Sequence, residues 1–101
     1  MKQKELIITA TAREDLTEIF LYIAEESIEV AIEFVEDIHS KIEWIVSVDF
    51  TGSPRDHVCK GLRAFPYRKR CIYYYSHKDR IVVTRVLHGS QDISLKEFNE
   101  K

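Results

Sequence analysis

Between Arg70 and Asp92 the chain reads RCIYYYSHKDRIVVTRVLHGSQD, two runs rich in Tyr, Ile and Val on either side of a short polar break. Cys71 to Ser76 and Ile81 to Leu87 have the β-branched and aromatic content of strands, and the break between them holds only His77, Lys78, Asp79 and Arg80. The stretch is therefore read as a β-hairpin, and whatever else the chain forms must pack against it. The break lacks the Asn-Gly or Asp-Gly pair of a tight type I′ loop, whereas Asp79 tolerates a left-handed conformation, so the turn is placed near Lys78-Asp79 with its register open. Beyond Leu87 the chain leaves through His88-Gly89-Ser90, where Gly89 is free to take positive φ and the polar His88, Gln91 and Asp92 collect.

Ahead of the hairpin, Glu5 to Thr9 is a short β-favouring run followed at once by helix signals. Thr11 and Glu14 have the spacing of a capping box, which starts the first helix at Ala12, with Asp15 adding a favourable charge near the positive end of its dipole. Leu16, Ile19, Phe20, Ile23 and Ala24 repeat at the three and four spacing of one apolar stripe. Ser27 is a second N-cap candidate and breaks the helical pattern in two. The second helix runs from Ile28 to Val48, with Ala31, Phe34, Val35, Ile38, Ile42, Ile45 and Val46 as its stripe, and so short a link makes the two helices antiparallel neighbours. Asp49 to His57 has loop composition. Val58 to Phe65 is strand-like, Pro66 ends or bends that strand, and a turn through Tyr67-Arg68-Lys69 leads into the hairpin.

The expected order is thus β-α-α-β-β-β, an α+β domain spanning residues 1–101, with the helix hairpin across one face of a small mostly antiparallel sheet. Ile8, Leu16, Phe20, Ile23, Phe34, Ile38, Ile42, Val83 and Leu87 are expected in the core. Tyr73 to Tyr75 are expected to alternate between core and surface.

The charge is unevenly divided. Residues 1–50 carry four basic and twelve acidic side chains, a balance of −8, and residues 51–101 carry eleven basic and five acidic, a balance of +6. Such polarity steers a charged partner to one face and says nothing of the fold. There is no apolar run long enough to span a membrane and no secretory signal pattern, which points to the cytoplasm. Cys59 and Cys71 are too few for a disulfide framework. His57, Cys59, Cys71, His77 and His88 show no metal-ligand spacing, so neither metal nor cofactor is expected. No nucleophile elbow marks Ser90 or Asp92. Arg63, Arg68, Lys69, Arg70 and Arg85, with tyrosines and His88, are the ingredients of phosphodiester chemistry or of an anion-binding surface.

The strand beginning Arg70-Cys-Ile-Tyr, the ArgValLeuHisGly ending at Arg85 to Gly89 with its following acid, GlyLeuArgAlaPhePro at Gly61 to Pro66 and the helix hairpin before it resemble the RelE/ParE superfamily of toxins from type II toxin-antitoxin pairs. The ArgValLeuHisGly ending is most similar to its ParE-like branch. That resemblance implies a toxin neutralised by a cognate antitoxin and inhibiting DNA gyrase by binding, and leaves open a dimer or higher toxin-antitoxin assembly. The alternatives are a ribosome-dependent messenger endoribonuclease, as in the RelE-like branch, or a family member without toxicity. Target contacts then fall to Arg63, Arg68, Lys69, Arg70, Tyr74, His88 and Gln91. For a ribonuclease the catalytic candidates are Arg70, Arg85 and His88, although the chain has His88, Ser90 and Gln91 after the last strand where RelE-like members have further basic residues and a tyrosine. Phe20, Tyr22, Trp44 and Ile45, with Arg63 and Arg68, are the candidate antitoxin contacts.

Overall fold

The computed structural model describes residues 3–101. Strand β1 (Glu5–Ile8) leads into helix α1 (Ala10–Ala24) and antiparallel helix α2 (Ile28–Val48); then come β2 (Ser53–Pro54), β3 (Leu62–Tyr67), β4 (Arg70–Ser76) and β5 (Arg80–His88). The five strands form one sheet in the order β1-β5-β4-β3-β2. The β1–β5 pair is parallel and the other pairs are antiparallel. The expected architecture holds, with the two-residue β2 added from within the segment read as a loop.

The first helix starts earlier than its capping-box signal. Thr9, not Thr11, is the N-cap, its hydroxyl accepting the Ala12 N–H at 3.0 Å. Thr9 also donates its backbone N–H to Val83 O at 3.1 Å and its hydroxyl to Thr84 O at 3.0 Å. One residue closes the strand and opens the helix, so no linker remains between them. The second helix has the expected bounds, with Ser27 accepting the Val30 N–H at 3.2 Å and Asp49 ending it in the left-handed conformation.

Strand β3 runs through Pro66, which pairs with Cys71. β2 covers only Arg63 and Ala64, so the outer edge of β3 is open at Pro66. Pro66 sits one position from the hydrogen-bonded Tyr67–Arg70 pair that flanks the two-residue loop, and in the antiparallel alternation its missing N–H falls on that open side.

Both faces of the sheet are covered, and this changes the fate of the tyrosine run. Ile72, Tyr74, Ile81, Val83 and Val86 pack under the helices against Leu16, Ile19, Ile38, Ile42 and Ile45. Leu62, Cys71, Tyr73, Tyr75 and Leu87 form a second cluster on the opposite face, closed by Val58, Cys59, Ile93 and Phe98. The C-terminal segment is held there by the Tyr75 hydroxyl donating to Phe98 O at 2.9 Å and by the Thr84 hydroxyl donating to Asn99 O. Tyr73, Tyr74 and Tyr75 are therefore all buried, where alternation predicted one exposed face. Burial pushes the hydroxyls of Tyr73 and Tyr74 up to about 12. Of the expected core, Leu16, Ile38, Ile42 and Val83 are buried under the helices and Leu87 is buried on the other face, whereas Ile8, Phe20, Ile23 and Phe34 lie half-buried at the margin.

Candidate functional site

One end of the sheet gathers most of the residues singled out from the sequence. β3 and β4 are joined by the two residues Arg68 and Lys69, with φ of 51° and 67°. A two-residue hairpin loop needs this mirror-image geometry to match strand twist, and Asn-Gly is the pair that adopts it readily. Here two long cationic side chains occupy it, at a cost of roughly 1–2 kcal/mol per residue. The surroundings hold the turn in place. Arg68 Nη1 donates to Asp37 Oδ2 at 2.8 Å, as does the Tyr67 hydroxyl at 2.8 Å, and the Arg68 guanidinium lies 4.8 Å from the Phe34 ring centre. Hydrogen bonds from Tyr67 and then Arg68 hold the Asp37 carboxyl below the usual carboxylate range. The Lys69 carbonyl accepts the Gly89 N–H at 2.9 Å. Gly89 does not take positive φ, and a Cβ there would stand 3.4 Å from that carbonyl, an ordinary contact.

Arg70, first residue of β4, pairs with His88, last residue of β5. β1 stops opposite Val83, so β5 from Thr84 to His88 is a free edge. Helix α1 closes it with Asp15. The Asp15 carboxylate accepts Arg85 Nε and Nη2 at 2.8 and 2.9 Å, and also the Val86 N–H at 3.0 Å. This is a bidentate pair with the carboxylate buried, and Arg85 Nη1 donates further to Glu97 O at 3.3 Å. The bond to Asp15 raises the pKa of Arg85 above its ordinary value, against the effect of burial. Arg85 is thus engaged by α1 and the C-terminal segment, which the sequence reading missed along with its partner. The signal was present: Asp15 stands three residues after Ala12 and four before Ile19, on the buried stripe where an acid requires a partner.

Between this edge, α1 and the tip lies a cavity of about 330 Å³. It brings Arg70, Arg85, His88 and Gln91 together with Tyr22 and adds Asp15, Glu18 and Lys96. His88 Nδ1 accepts the Ser90 N–H at 3.2 Å and faces the Ser90 hydroxyl at 2.7 Å, which places the proton of the neutral ring on Nε2. Gln91 Oε1 accepts the His88 N–H at 3.2 Å.

Other candidates lie elsewhere. Arg63 is on β3 opposite Tyr74, about 13 Å along the strand from Tyr67 by its rise per residue. Tyr74 is 0% exposed and donates its hydroxyl to Phe50 O at 2.8 Å, so its expected contact with a target is withdrawn. Ile45, 1% exposed, is likewise a core residue and not a partner contact. Trp44 is exposed and packs in tilted and edge-on contact with Phe50 and Phe65, which in turn meets Tyr67, with Lys41 Nζ 5.0 Å from the Trp44 and Tyr67 ring centres. A second, apolar cavity of about 450 Å³ opens between α1 and α2, lined by Leu16, Phe20 and Val35 with Arg13 and His39. On the same helices Leu21, Ile28 and Ile32 are exposed. Among the described residues no three His, Cys, Asp or Glu side chains gather as metal ligands, and no helix is long and apolar enough to cross a membrane.

Comparison with known proteins bears on this arrangement. Residues 6–93 match the family described as ParE toxin of type II toxin-antitoxin system, parDE. A structure of the chromosomal ParDE system from P. aeruginosa superimposes with a TM-score of 0.72 at 21% identity, covering 85% of this chain and 96% of that one. No curated protein matches.

Proposed function

The chain belongs to the ParE toxin family of type II toxin-antitoxin systems, and from that premise we propose that it acts in the cytoplasm by binding DNA gyrase through the strand end that carries the tip and the cavity. The observation that supports this reading is the tip itself. Arg68 and Lys69 hold a backbone conformation they do not favour, and Lys69 forms no ion pair among the described residues. Strain of this kind is maintained where a side chain must be presented. Arg70, His88 and Gln91 extend the surface, and Arg63 is at most an outlying contact. A rigid cationic projection gives a binding inhibitor orientation and on-rate toward an acidic surface.

The cognate antitoxin is proposed to lie along the helix hairpin, its aliphatic side chains entering the cavity at Phe20 and reaching toward Tyr22 and Trp44, with acids meeting Arg68. The exposed Leu21, Ile28 and Ile32 enlarge that apolar surface beyond what scattered residues amount to. The test is gyrase supercoiling with purified protein: wild type inhibits at micromolar concentration, Lys69→Glu with Arg70→Glu does not, and unaffected gyrase with wild type contradicts the proposal.

A second reading, messenger cleavage on the ribosome, is favoured by one observation: Arg70, His88, Glu18 and Tyr22 share a cavity. Cations, an acid and a base are what 2′-hydroxyl attack requires. Arg85, however, is taken up by Asp15 and is better placed to hold the site than to meet phosphate. Cleavage by wild type in a translating extract, lost in Arg70→Ala and His88→Ala, is the outcome that would replace the gyrase reading.

A further inference from the structure

Donors and acceptors are unevenly used around the strand-end cavity. Its acceptors are engaged within the protein: the Asp15 oxygens by Arg85 and the Val86 N–H, Gln91 Oε1 by the His88 N–H, and His88 Nδ1 by Ser90. Its donors are not. Arg70 and Lys96 form no ion pair among the described residues, His88 retains its Nε2 proton, and Gln91 retains its amide NH₂. Among the described residues Glu18, the other lining carboxylate, has no hydrogen-bond partner. Two cations and two neutral donors facing one space match a single compact oxyanion, and guanidinium with imidazole N–H suits phosphate oxygens in particular.

The cavity is larger than a bare anion needs. At about 330 Å³ it sits at the lower end of the roughly 300–1,000 Å³ of small-molecule sites. Ile19, Val86 and Leu87 give it apolar surface, and the Tyr22 ring, 70% exposed, stands at its wall as a plane for stacking. We infer that the cavity binds a mononucleotide, its phosphate monoester against Arg70, Lys96 and His88, its base on Tyr22, and a ribose hydroxyl or base amino group donating to Glu18. The site shares Arg70, His88 and Gln91 with the surface proposed for gyrase, but its test reads nucleotide binding alone, so its failure leaves the gyrase reading standing. The shared chemistry is a nucleoside phosphate, which a free nucleotide or the 5′-phosphorylated end of a strand supplies.

The experiment titrates the purified full chain with AMP, inorganic phosphate, adenosine and a 5′-phosphorylated oligonucleotide, following heat and the backbone amide resonances of His88 and Ser90. AMP is expected to saturate with shifts around the cavity, phosphate to bind there about tenfold more weakly, and adenosine not to bind measurably. Arg70→Ala with Lys96→Ala lowers AMP affinity by at least about tenfold, Tyr22→Ala brings AMP down to phosphate, and Arg63→Ala, a cation outside the cavity, changes neither. Binding of the oligonucleotide as tight as AMP identifies a strand end as the source, and weaker binding identifies the free nucleotide; either supports the site. Absence of saturable shifts at millimolar AMP, equal binding of adenosine, or equal weakening by Arg63→Ala overturns it. Should the double variant unfold, the Tyr22→Ala and Arg63→Ala comparison still decides.

Discussion

Strand β4 is closed at its two ends by two different turns. At one end His77, Lys78, Asp79 and Arg80 connect the paired Ser76 and Ile81 with no residue at positive φ, and the His77 N–H donates to Arg80 O at 2.8 Å. At the other, Arg68 and Lys69 make a two-residue loop with both residues at positive φ. The strained loop adjoins Arg70, His88, Gln91 and the helix α1 carboxylate that pins Arg85. Folding alone favours Asn-Gly at the strained turn. That Arg and Lys stand there, braced by Asp37, Phe34 and the Gly89 N–H, argues that the cations are kept for what they contact.

The largest expected effect comes from unlocking the strained end. Asp15→Ala leaves Arg85 and the Val86 N–H unpaired, and denaturant unfolding should show a loss of about 3–5 kcal/mol, the range for removing one partner of a buried pair. A loss no greater than that of an exposed ion pair would mean that water replaces the carboxylate. The buried tyrosines come next. Their hydroxyls titrate at 10.0 when unfolded and near 12 in the fold for Tyr73 and Tyr74. The unfolded chain loses these protons first, so stability is complete below pH 10 and falls as pH rises toward 12. Tyr74→Phe should flatten that alkaline limb, and an unchanged slope would contradict the burial of this ring.

How much of this was legible beforehand differs between the same two regions. The hairpin around Lys78 was readable because β-branched and aromatic runs flank a polar break, and Ser27 and the α2 stripe fixed the second helix. The tighter turn was located at Tyr67 to Lys69, but nothing in Arg-Lys signals positive φ, since those residues are chosen against their backbone preference. The second buried face was also hidden. Residues 93–101 have no periodicity and are held largely through single side chains such as Phe98 and through carbonyls that Tyr75 and Thr84 reach, so the tyrosine run looked half-exposed. Arg85 could be counted as a free cation only while Asp15 was assigned to the helix dipole.

Smaller effects sharpen the contrast. Arg68→Asn with Lys69→Gly removes the positive-φ cost and forfeits an exposed ion pair and the Arg68 contact with the Phe34 ring, so the domain should gain about 1 kcal/mol, a Tm rise of about 5 °C. The same pair placed at Lys78 and Asp79 should give no gain, because no residue there is at positive φ. Equal gains at both turns would remove the distinction. The smallest effect concerns Asp37, whose carboxyl is held below its unfolded value of 3.8 by Tyr67 and Arg68. Its contribution is present above pH 3.8 and is lost as pH falls through the lower folded value. Asp37→Asn should therefore soften the acid limb of the stability profile slightly, whereas an unchanged limb would show that Asp37 does not brace the tip.

Growth after induced expression without antitoxin tests the central claim most directly, comparing wild type with the Arg68→Asn, Lys69→Gly variant at equal protein level. The wild type should arrest growth, and the variant, though more stable, should leave it unimpaired. A variant that arrests growth as fully as wild type would contradict the assignment of the strained tip as the working end of the toxin.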